Sequence, residues 1–392
     1  MEIKGAERLK KLPVYLFDAL DAMKAEEQAK GVEVIDLGVG DPDRPTPKYI
    51  IDAMKQAVDD PKNHHYPSFK GTPGYRKAVA TWYKSNFNVD LDSDKEVLLC
   101  IGSKRGAADL PMALCDPGDV VLIPDPCYTA YIPGIQFAGA EVQFMPLLEE
   151  NDFLPDLDAI PDDICKRAKL MILNFPGNPT AALAPLSYFE QVVAFAKKHN
   201  IVVAHDDPYS EAVYDGQRQP SFLETPGAKE VGIEFHSLSK VFNMSGWRLA
   251  HAVGNATVLA CLAKVRSNVD MGAFTPLQHA GIAALTGSMD FTREMTSVYQ
   301  RRRDVLIDGL NSLGWNMRKP PATFFIWSRV PVEGVSSGEF AESVLRKAGV
   351  LITPGRGFGE KGEGYIRIAL TVEEDICLKV IERLKDAGFV YS

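Results

Sequence analysis

Reactive and anion-binding side chains follow several short apolar runs in this sequence. Lys240 and Arg248 come after one run, Asp206 and Tyr209 after another, and Asn178 after a third. A lysine amine can attack an aldehyde or a ketone, and an arginine can bind a phosphate or a carboxylate through paired hydrogen bonds. The sequence contains no Cys/His set with zinc-ligand spacing and no Ser-His-Asp arrangement, so no metal is predicted. These residue types indicate amine chemistry on a small anionic molecule.

The apolar runs themselves predict strands buried on both faces of a mainly parallel sheet. They are short, nearly continuous rather than alternating, and bounded by Gly, Pro and Asp. Segments of helical length lie between them, for example at 186–199, and this alternation is typical of an α/β fold. Ligands of such sheets bind beyond the carboxyl ends of the strands, where the polar residues stand. The seven runs are 97–101, 120–123, 142–145, 170–173, 201–204, 234–237 and 249–253.

The pattern changes after about residue 285, where longer helical segments alternate with fewer strands. A charged helix is expected at 291–313, followed by a strand at 324–327, a helix at 337–348, a strand at 365–370 and a final helix from 373. We therefore expect three parts. Residues 1–45 form an arm that belongs to a small domain, 46–285 a large cofactor-binding domain, and 286–392 the rest of the small α+β domain.

Composition narrows the classes of function. The 392 residues are 46% apolar and 24% charged, which excludes a disordered or collagen-like chain. The formal net charge of −9 disfavours nucleic acid and anionic membranes as partners. Several of the six cysteines stand in apolar runs, which is typical of buried thiols in a reducing compartment. Without an apolar leader segment or a run of about 18 apolar residues, we expect a cytoplasmic protein.

Three motifs give this chain a family resemblance. They are P-G-N-P-T at 176–180, D-x-x-Y at 206–209 and S-L-S-K-x-F-N-M-S-G-W-R at 237–248, and they occur in one order at predicted strand ends. The chain resembles the class I/II aminotransferases over nearly its whole length. The resemblance implies the fold-type-I architecture, with a mainly parallel seven-stranded sheet flanked by helices and a smaller α+β domain. It also implies pyridoxal 5'-phosphate (PLP) as the cofactor.

The resemblance assigns the catalytic groups. Lys240 would bind the cofactor aldehyde and later move the α-proton of the substrate. Asp206 would keep the pyridine nitrogen protonated, with Asp207 as the competing choice. Tyr209 and Asn178 match the phenol and the amide that hydrogen-bond the phenolic oxygen of the cofactor.

A second group of residues would hold the cofactor phosphate and ring. A Gly-Ser-Lys sequence opens a helix directly after a strand, where free backbone N–H groups collect an anion. Arg248 would add a forked, charged donor. Tyr128 matches the aromatic residue that stacks on the pyridine ring. The full phosphate set is Ser103, Lys104, Ser237, Ser239 and Arg248.

The remaining site residues concern the substrate and the partner subunit. Arg367 is a charged residue inside an apolar strand, where burial is costly without a partner, and the substrate α-carboxylate is the partner that the family uses. Tyr15, Gly40 and Asn178 match other substrate-contacting positions. Tyr66 matches a tyrosine that reaches the phosphate of the neighbouring subunit. The resemblance therefore implies a homodimer with shared active sites.

Within the family, the chain looks most like the LL-diaminopimelate aminotransferase group of lysine biosynthesis. The similar segments are 37–47, 101–104, 267–270 and 353–355, whereas Arg105, Asp109, Met271 and Arg356 depart from the group pattern and could alter substrate recognition. The leading expectation is transfer of an amino group from LL-diaminopimelate to 2-oxoglutarate. Alternatives are an aspartate, alanine or aromatic aminotransferase, a cystathionine β-lyase-like enzyme, and a non-enzymatic cofactor-binding protein.

Overall fold

The computed structural model describes residue 1, residues 3–12 and residues 16–391. Every apolar run named above falls on a strand of one seven-stranded sheet. Strands β2 to β8 form this sheet, and the other strands lie outside it. In chain order, the strands are β1 (Ile35–Asp36), β2 (Val97–Cys100), β3 (Val120–Asp125), β4 (Glu141–Pro146), β5 (Ala168–Asn174), β6 (Val202–Asp207), β7 (Gly232–Ser237), β8 (Ala250–Gly254), β9 (Phe325–Arg329), β10 (Val350–Leu351), β11 (Thr353–Pro354) and β12 (Tyr365–Ala369).

Helices lie between most of these strands. The helix expected at 186–199 and the helix expected at 337–348 have the predicted bounds. The helices are α1 (Leu16–Ala29), α2 (Lys48–Val58), α3 (Pro73–Phe87), α4 (Ser103–Leu114), α5 (Tyr131–Ala138), α6 (Asp162–Arg167), α7 (Leu186–His199), α8 (Ala228–Val231), α9 (Leu238–Val241), α10 (Ala256–Arg266), α11 (Thr275–Thr286), α12 (Asp290–Ser312), α13 (Ser337–Ala348) and α14 (Glu374–Asp386).

The central sheet has the strand order β2-β8-β7-β6-β5-β3-β4. Strands β4, β3, β5, β6 and β7 are parallel to one another, and β8 is antiparallel to both of its neighbours, β7 and β2. Strand β2 therefore runs in the same direction as β7. The carboxyl ends of all strands except β8 lie at one edge of the sheet, and the predicted site residues follow those ends.

Both faces of the sheet are covered, as the continuous apolar runs predicted. In β2, Val97 and Leu99 pack into one core cluster, and Leu98 and Cys100 pack into another on the opposite face. All four side chains are almost fully buried. Successive side chains of a strand point to opposite faces, so a strand between two helical layers is buried on both of them and favours apolar residues on each.

A third core cluster joins the C-terminal part of the chain to the N-terminal segment. Strands β11, β12 and β9 form a small antiparallel sheet, and β1 pairs with β10. Leu37 is buried in this cluster; its N–H donates to the Leu351 carbonyl at 2.8 Å, and its carbonyl accepts from the Ala369 N–H at 2.8 Å. The segment after β1 is thus fixed beside β12, although the division at residues 45 and 285 stays a prediction.

Two further expectations were that the cysteines are buried thiols and that the chain has no membrane-spanning segment. All six cysteines are free thiols, and Cys261 alone among them is partly exposed while the other five are buried. Across residues 1, 3–12 and 16–391, no helix combines the length and the apolar character that a bilayer span requires.

Candidate active site

A cavity of about 400 Å³ opens at the carboxyl edge of the central sheet. Twelve of the residues selected from the sequence line it, and they come from segments that are far apart in the chain. The cavity also includes residues that the sequence analysis did not select. Its predicted members are Gly40, Ser103, Lys104, Tyr128, Asn178, Asp206, Tyr209, Ser237, Ser239, Lys240, Arg248 and Arg367.

Lys240 occupies the short helix α9, directly after β7. Its Nζ donates a hydrogen bond to the Gly40 carbonyl at 2.9 Å and lies 3.6 Å from an Asp41 carboxylate oxygen. Burial lowers the pKa of the Lys240 amine to about 8, although Asp41 opposes the shift. A substantial fraction of the amine is therefore neutral near pH 8, and a neutral amine is the nucleophilic form.

Asp206 lies within β6 rather than after it. The sequence analysis ended this strand at residue 204, which was too early because pairing with β7 continues to the Asp207–His236 register. Asp206 is 3% exposed and accepts a hydrogen bond from the Tyr131 hydroxyl on Oδ2 at 2.8 Å. Within the described part of the chain, its buried Oδ1 has no hydrogen-bond partner. Burial raises the pKa of this carboxyl to about 6, and the Tyr131 hydroxyl, His205 and Ser103 lower it in part.

Asp207 does not line the cavity, because adjacent side chains of a strand point to opposite faces. It accepts from the Ser210 N–H at 2.9 Å, and burial raises its pKa well above the usual range. The groups around it are His205 and Glu234, and one ligand atom from each of the three lies within 4.8 Å of the others. The structure therefore separates the two adjacent carboxylates into different environments, with Asp206 facing the cavity.

The cluster behind Asp206 is a hydrogen-bonded core network. Glu234 accepts from the Tyr83 hydroxyl at 2.8 Å, the Ser221 hydroxyl at 2.7 Å and the Phe222 N–H at 2.8 Å. His205 Nδ1 lies 2.9 Å from the same carboxylate. Although burial alone would raise the Glu234 pKa, the hydrogen bond with His205 and the two hydroxyl donors hold it below its ordinary value. The sequence analysis did not foresee this grouping, because its members come from four separate segments.

Arg248 and the turn before α4 form one wall of the cavity. Arg248 has a φ of 55°, and its Nη1 donates to the Ser245 carbonyl at 2.7 Å. Gly102 caps the start of α4 with a φ of 80°, and a Cβ at this position would lie 2.0 Å from Arg248 Nη2. Only glycine permits both the left-handed backbone and this approach of the guanidinium. The free N–H groups of α4 and the guanidinium therefore lie side by side, an arrangement suited to an anion.

Arg367 is 1% exposed and lies between two aromatic rings. Its guanidinium carbon is 4.3 Å from the Phe325 ring centroid and 4.7 Å from that of Phe358. Nη1 donates to Asn178 Oδ1 at 2.9 Å, and Nη2 donates to the Gly38 carbonyl at 2.7 Å. Burial lowers its pKa to about 10, so the group stays charged at neutral pH. A buried, fixed fork at a cavity wall is suited to a planar carboxylate.

Tyr209 and Tyr128 present rings to the same cavity. Tyr209 is 5% exposed and packs edge-on against Phe324 and Phe325, with ring centroids 5.4 and 5.7 Å away. Burial raises the pKa of its phenol, which therefore remains protonated and can donate. Tyr128 contacts Tyr131 with ring planes at 88°.

One of the selected residues that the structure describes does not line the cavity. Tyr66 is 86% exposed and lies beside His64, His65 and Phe274 on the surface of the same chain. Tyr15 lies outside the described residues. The proposed contact of Tyr66 with a partner subunit stays a prediction, as do the roles of all the selected residues.

The departures from the diaminopimelate group pattern also lie away from the cavity lining. Arg105 Nε donates to Asp109 Oδ2 at 2.7 Å, one helical turn apart on α4, and Asp109 is 1% exposed. Met271 is 54% exposed, and Arg356 lies 3.6 Å from Glu360. Within a single chain, these four residues pair with near neighbours or lie at the surface, and none of them lines the cavity.

Sequence reasoning missed several cavity residues. Tyr131 stands three positions after Tyr128 in the same segment, and that spacing at a helix start was the available signal. Asp41 adjoins Gly40 in the sequence, and Asp21 comes from α1, far from every motif. Phe325 is an apolar strand residue with no chemical signal of its own.

Comparisons with known proteins identify the family. The family model for aminotransferase class I and II matches residues 32–384. An LL-diaminopimelate aminotransferase of Moorella thermoacetica is 52% identical over 383 residues, which cover 98% of each chain. The structure of apo-BacF from Bacillus subtilis has a TM-score of 0.96 at 38% identity, covering 100% of both chains. An aspartate aminotransferase from Thermus thermophilus with maleate has a TM-score of 0.90 at 28% identity, covering 98% of this chain and 100% of its own. The chain therefore belongs to the aminotransferase class I and II family, and it is an aminotransferase.

Proposed function

We propose that this aminotransferase uses PLP to move an amino group from LL-diaminopimelate to 2-oxoglutarate. The observation that carries the proposal is the meeting of a lysine with a lowered pKa, a buried carboxylate and a buried arginine fork in one cavity. The lysine is suited to act as an amine nucleophile, the carboxylate to pair with a ring nitrogen, and the arginine to bind a carboxylate.

The residues present fit PLP. Oδ1 of Asp206, which has no hydrogen-bond partner among the residues that the structure describes, is a buried acceptor suited to a protonated ring nitrogen. Gly102 leaves the space that Arg248 enters, and Ser103, Lys104 and the serines of the β7–α9 turn supply hydroxyls and charge suited to a phosphate. When bound, PLP supplies an aldehyde carbon that can exchange amino groups and a ring that can withdraw electrons.

Four side chains would then act on the substrate and the cofactor. Lys240 Nζ, with its lowered pKa, would accept the α-proton of the amino acid and return it to the product. Asp206 would keep a proton on the ring nitrogen, and Tyr209 would donate a hydrogen bond from its protonated phenol. Arg367 would bind the α-carboxylate and so orient the α-C–H bond toward Lys240.

The substrate assignment is supported by the relative from Moorella thermoacetica and by the charge of the cavity. Asp21 and Asp41 add two carboxylates to the lining, whose other charged members are Asp206, Lys104, Lys240 and the two arginines. Both carboxylates are exposed, and the second ammonium group of LL-diaminopimelate gives them a charged partner that a monoamino donor lacks.

A donor panel tests this assignment. The purified enzyme with added PLP would be supplied with LL-diaminopimelate, aspartate, alanine, phenylalanine or cystathionine, each with 2-oxoglutarate, pyruvate or oxaloacetate. Glutamate formation from LL-diaminopimelate is expected to be the fastest reaction. Pyruvate release from cystathionine without an added oxo acid would indicate the β-lyase instead, and preference for aspartate, alanine or phenylalanine would refute the diaminopimelate assignment alone. Lys240→Ala serves as the inactive control.

We also propose that the active unit is a homodimer in which Tyr66 reaches the neighbouring cavity. The exposed ring of Tyr66 lies on the surface of its own chain and outside its own cavity. An aromatic residue with this exposure is suited to an interface between protomers. The arm and domain bounds given above, 1–45, 46–285 and 286–392, belong to the same proposal, and limited proteolysis would test them.

A further inference from the structure

Tyr131 connects two parts of the active site. It is the first residue of α5 and is 1% exposed. Its hydroxyl donates to Asp206 Oδ2 at 2.8 Å, across 75 positions in the sequence. Its ring meets that of Tyr128 nearly at a right angle, with centroids 5.8 Å apart. One side chain therefore contacts both the carboxylate and the aromatic residue that would face the cofactor ring.

The hydrogen bond divides the Asp206 carboxylate into two unlike oxygens. Oδ2 is occupied by Tyr131, whereas Oδ1 has no partner among the described residues although it is buried. Asn174 lies close by, but its amide donates to the Asp206 backbone carbonyl at 2.7 Å rather than to the carboxylate. A carboxylate held at one oxygen cannot rotate freely, and its other oxygen stays available for a partner in the cavity.

We propose that Tyr131 is a positioning residue that keeps Asp206 ionised, directs its Oδ1 toward the ring nitrogen of PLP and supports the Tyr128 ring from the side. This inference rests on the proposed function. A phenol hydroxyl donates a stronger hydrogen bond to a carboxylate than to a neutral carboxyl group, so it favours the ionised form. Burial raises the phenol pKa of Tyr131 well above its ordinary value, which keeps the donor protonated across the working pH range.

Other groups around Asp206 must be separated from Tyr131 in a test. His205 lies on the same strand, Ser103 approaches from α4, and both lower the pKa of Asp206. Tyr209, from the loop after β6, interacts electrostatically with the same carboxylate. A variant confined to the Tyr131 hydroxyl leaves all three in place, so any change in proton position can be assigned to that hydroxyl.

The test compares Tyr131→Phe with wild-type enzyme and with Tyr188→Phe. Tyr188 is also buried and donates its hydroxyl to the Pro155 carbonyl at 2.9 Å, away from the cavity. PLP labelled with ¹⁵N at the ring nitrogen would be bound to each protein, and its protonation followed by NMR against pH. In Tyr131→Phe the proton is expected to move from the ring nitrogen toward Asp206, so the ¹⁵N signal at pH 7.5 should shift toward that of an unprotonated ring, with PLP bound about tenfold more weakly in equilibrium titrations. Tyr188→Phe should match the wild type in both.

The outcomes distinguish this inference from the proposed function. Failure of wild-type protein to bind PLP would refute the proposed function itself. A wild-type protein that binds PLP, together with Tyr131→Phe indistinguishable from Tyr188→Phe, would overturn the role of Tyr131 alone. If Tyr131→Phe folds poorly, 3,5-difluorotyrosine at position 131 keeps the ring and strengthens the donor. It should shift the ¹⁵N signal at the same pH further toward the protonated ring, and an unchanged or opposite shift would contradict the inference.

Discussion

Asp206 should destabilise the apoprotein at neutral pH, and replacing it with asparagine should relieve that cost. The carboxyl is 3% exposed, and burial raises its pKa from the ordinary 3.8 to about 6 despite the opposing effects of Tyr131, His205 and Ser103. Each pKa unit corresponds to about 1.4 kcal/mol of preference between the two protonation states. Ionised Asp206 therefore lowers the free energy of unfolding by about 3 kcal/mol.

The direction of the pH effect follows from the two pKa values. The folded-state pKa lies above the unfolded-state value, so below about pH 4 both states are protonated and Asp206 costs nothing. As pH rises from about 4 to about 6, the unfolded chain ionises first and stability falls. Above about pH 6 the full cost is present and constant. An asparagine has no such titration, so the advantage of Asp206→Asn should grow from pH 4 to pH 6 and then level off.

The assay is urea unfolding of PLP-free protein between pH 5 and pH 8. Asp206→Asn is expected to be about 3 kcal/mol more stable than the wild type at pH 7.5 and about half as much at pH 5. Asp59→Asn, which removes an exposed carboxyl at a helix end, is the control for the loss of one negative charge at the surface. Added PLP should stabilise the wild type more than Asp206→Asn, because the buried carboxylate then gains its partner. Parallel stability profiles for wild type and Asp206→Asn would refute the reasoning.

Further predictions concern the amine, the arginine fork and the dimer. Borohydride reduction of PLP-loaded enzyme, followed by peptide mapping, should label Lys240, and a label on Lys104 would contradict its assignment. Arg367→Lys should raise KM for the amino donor about ten- to a hundredfold, because one of two charged hydrogen bonds is lost, while PLP affinity stays unchanged; an unchanged KM would exclude the carboxylate contact. Mixing inactive Lys240→Ala with a Tyr66→Ala variant should give more activity than either variant alone if sites are shared, because the hybrid dimer then has one site with both wild-type residues, whereas a fully active monomer in sedimentation would rule out the homodimer.

Local patterns in the sequence were sufficient for the secondary structure of the core. Every apolar run became part of a strand of the central sheet, because a strand covered on both faces favours nearly continuous apolar side chains. The lysine at 240 and the arginine at 248 could be selected because they follow an apolar run, at the edge of the sheet where ligands bind. The charged residue at 367 stood out as a break in an apolar strand, where burial is costly without a partner.

Strand ends were predicted less well than strand positions. The run ending at residue 204 gave no sign that β6 continues to Asp207, since the added residues are polar. Their pairing with β7 supplies the backbone hydrogen bonds that keep them extended. As a result, Asp206 and Asp207 face opposite sides of the strand, which the one-dimensional pattern could not show.

The sequence by itself determined which segments form the sheet, which edge of it carries the polar residues and which family the motifs resemble. Only the tertiary structure decided that Tyr131 donates to Asp206, that Asp21 from α1 reaches the cavity and that Phe325 and Phe358 enclose Arg367. The physical reason is the range of the interactions. Strand and helix patterns repeat over a few residues, whereas these contacts join segments tens to hundreds of residues apart. They exist only after those segments have packed against one another in the folded chain.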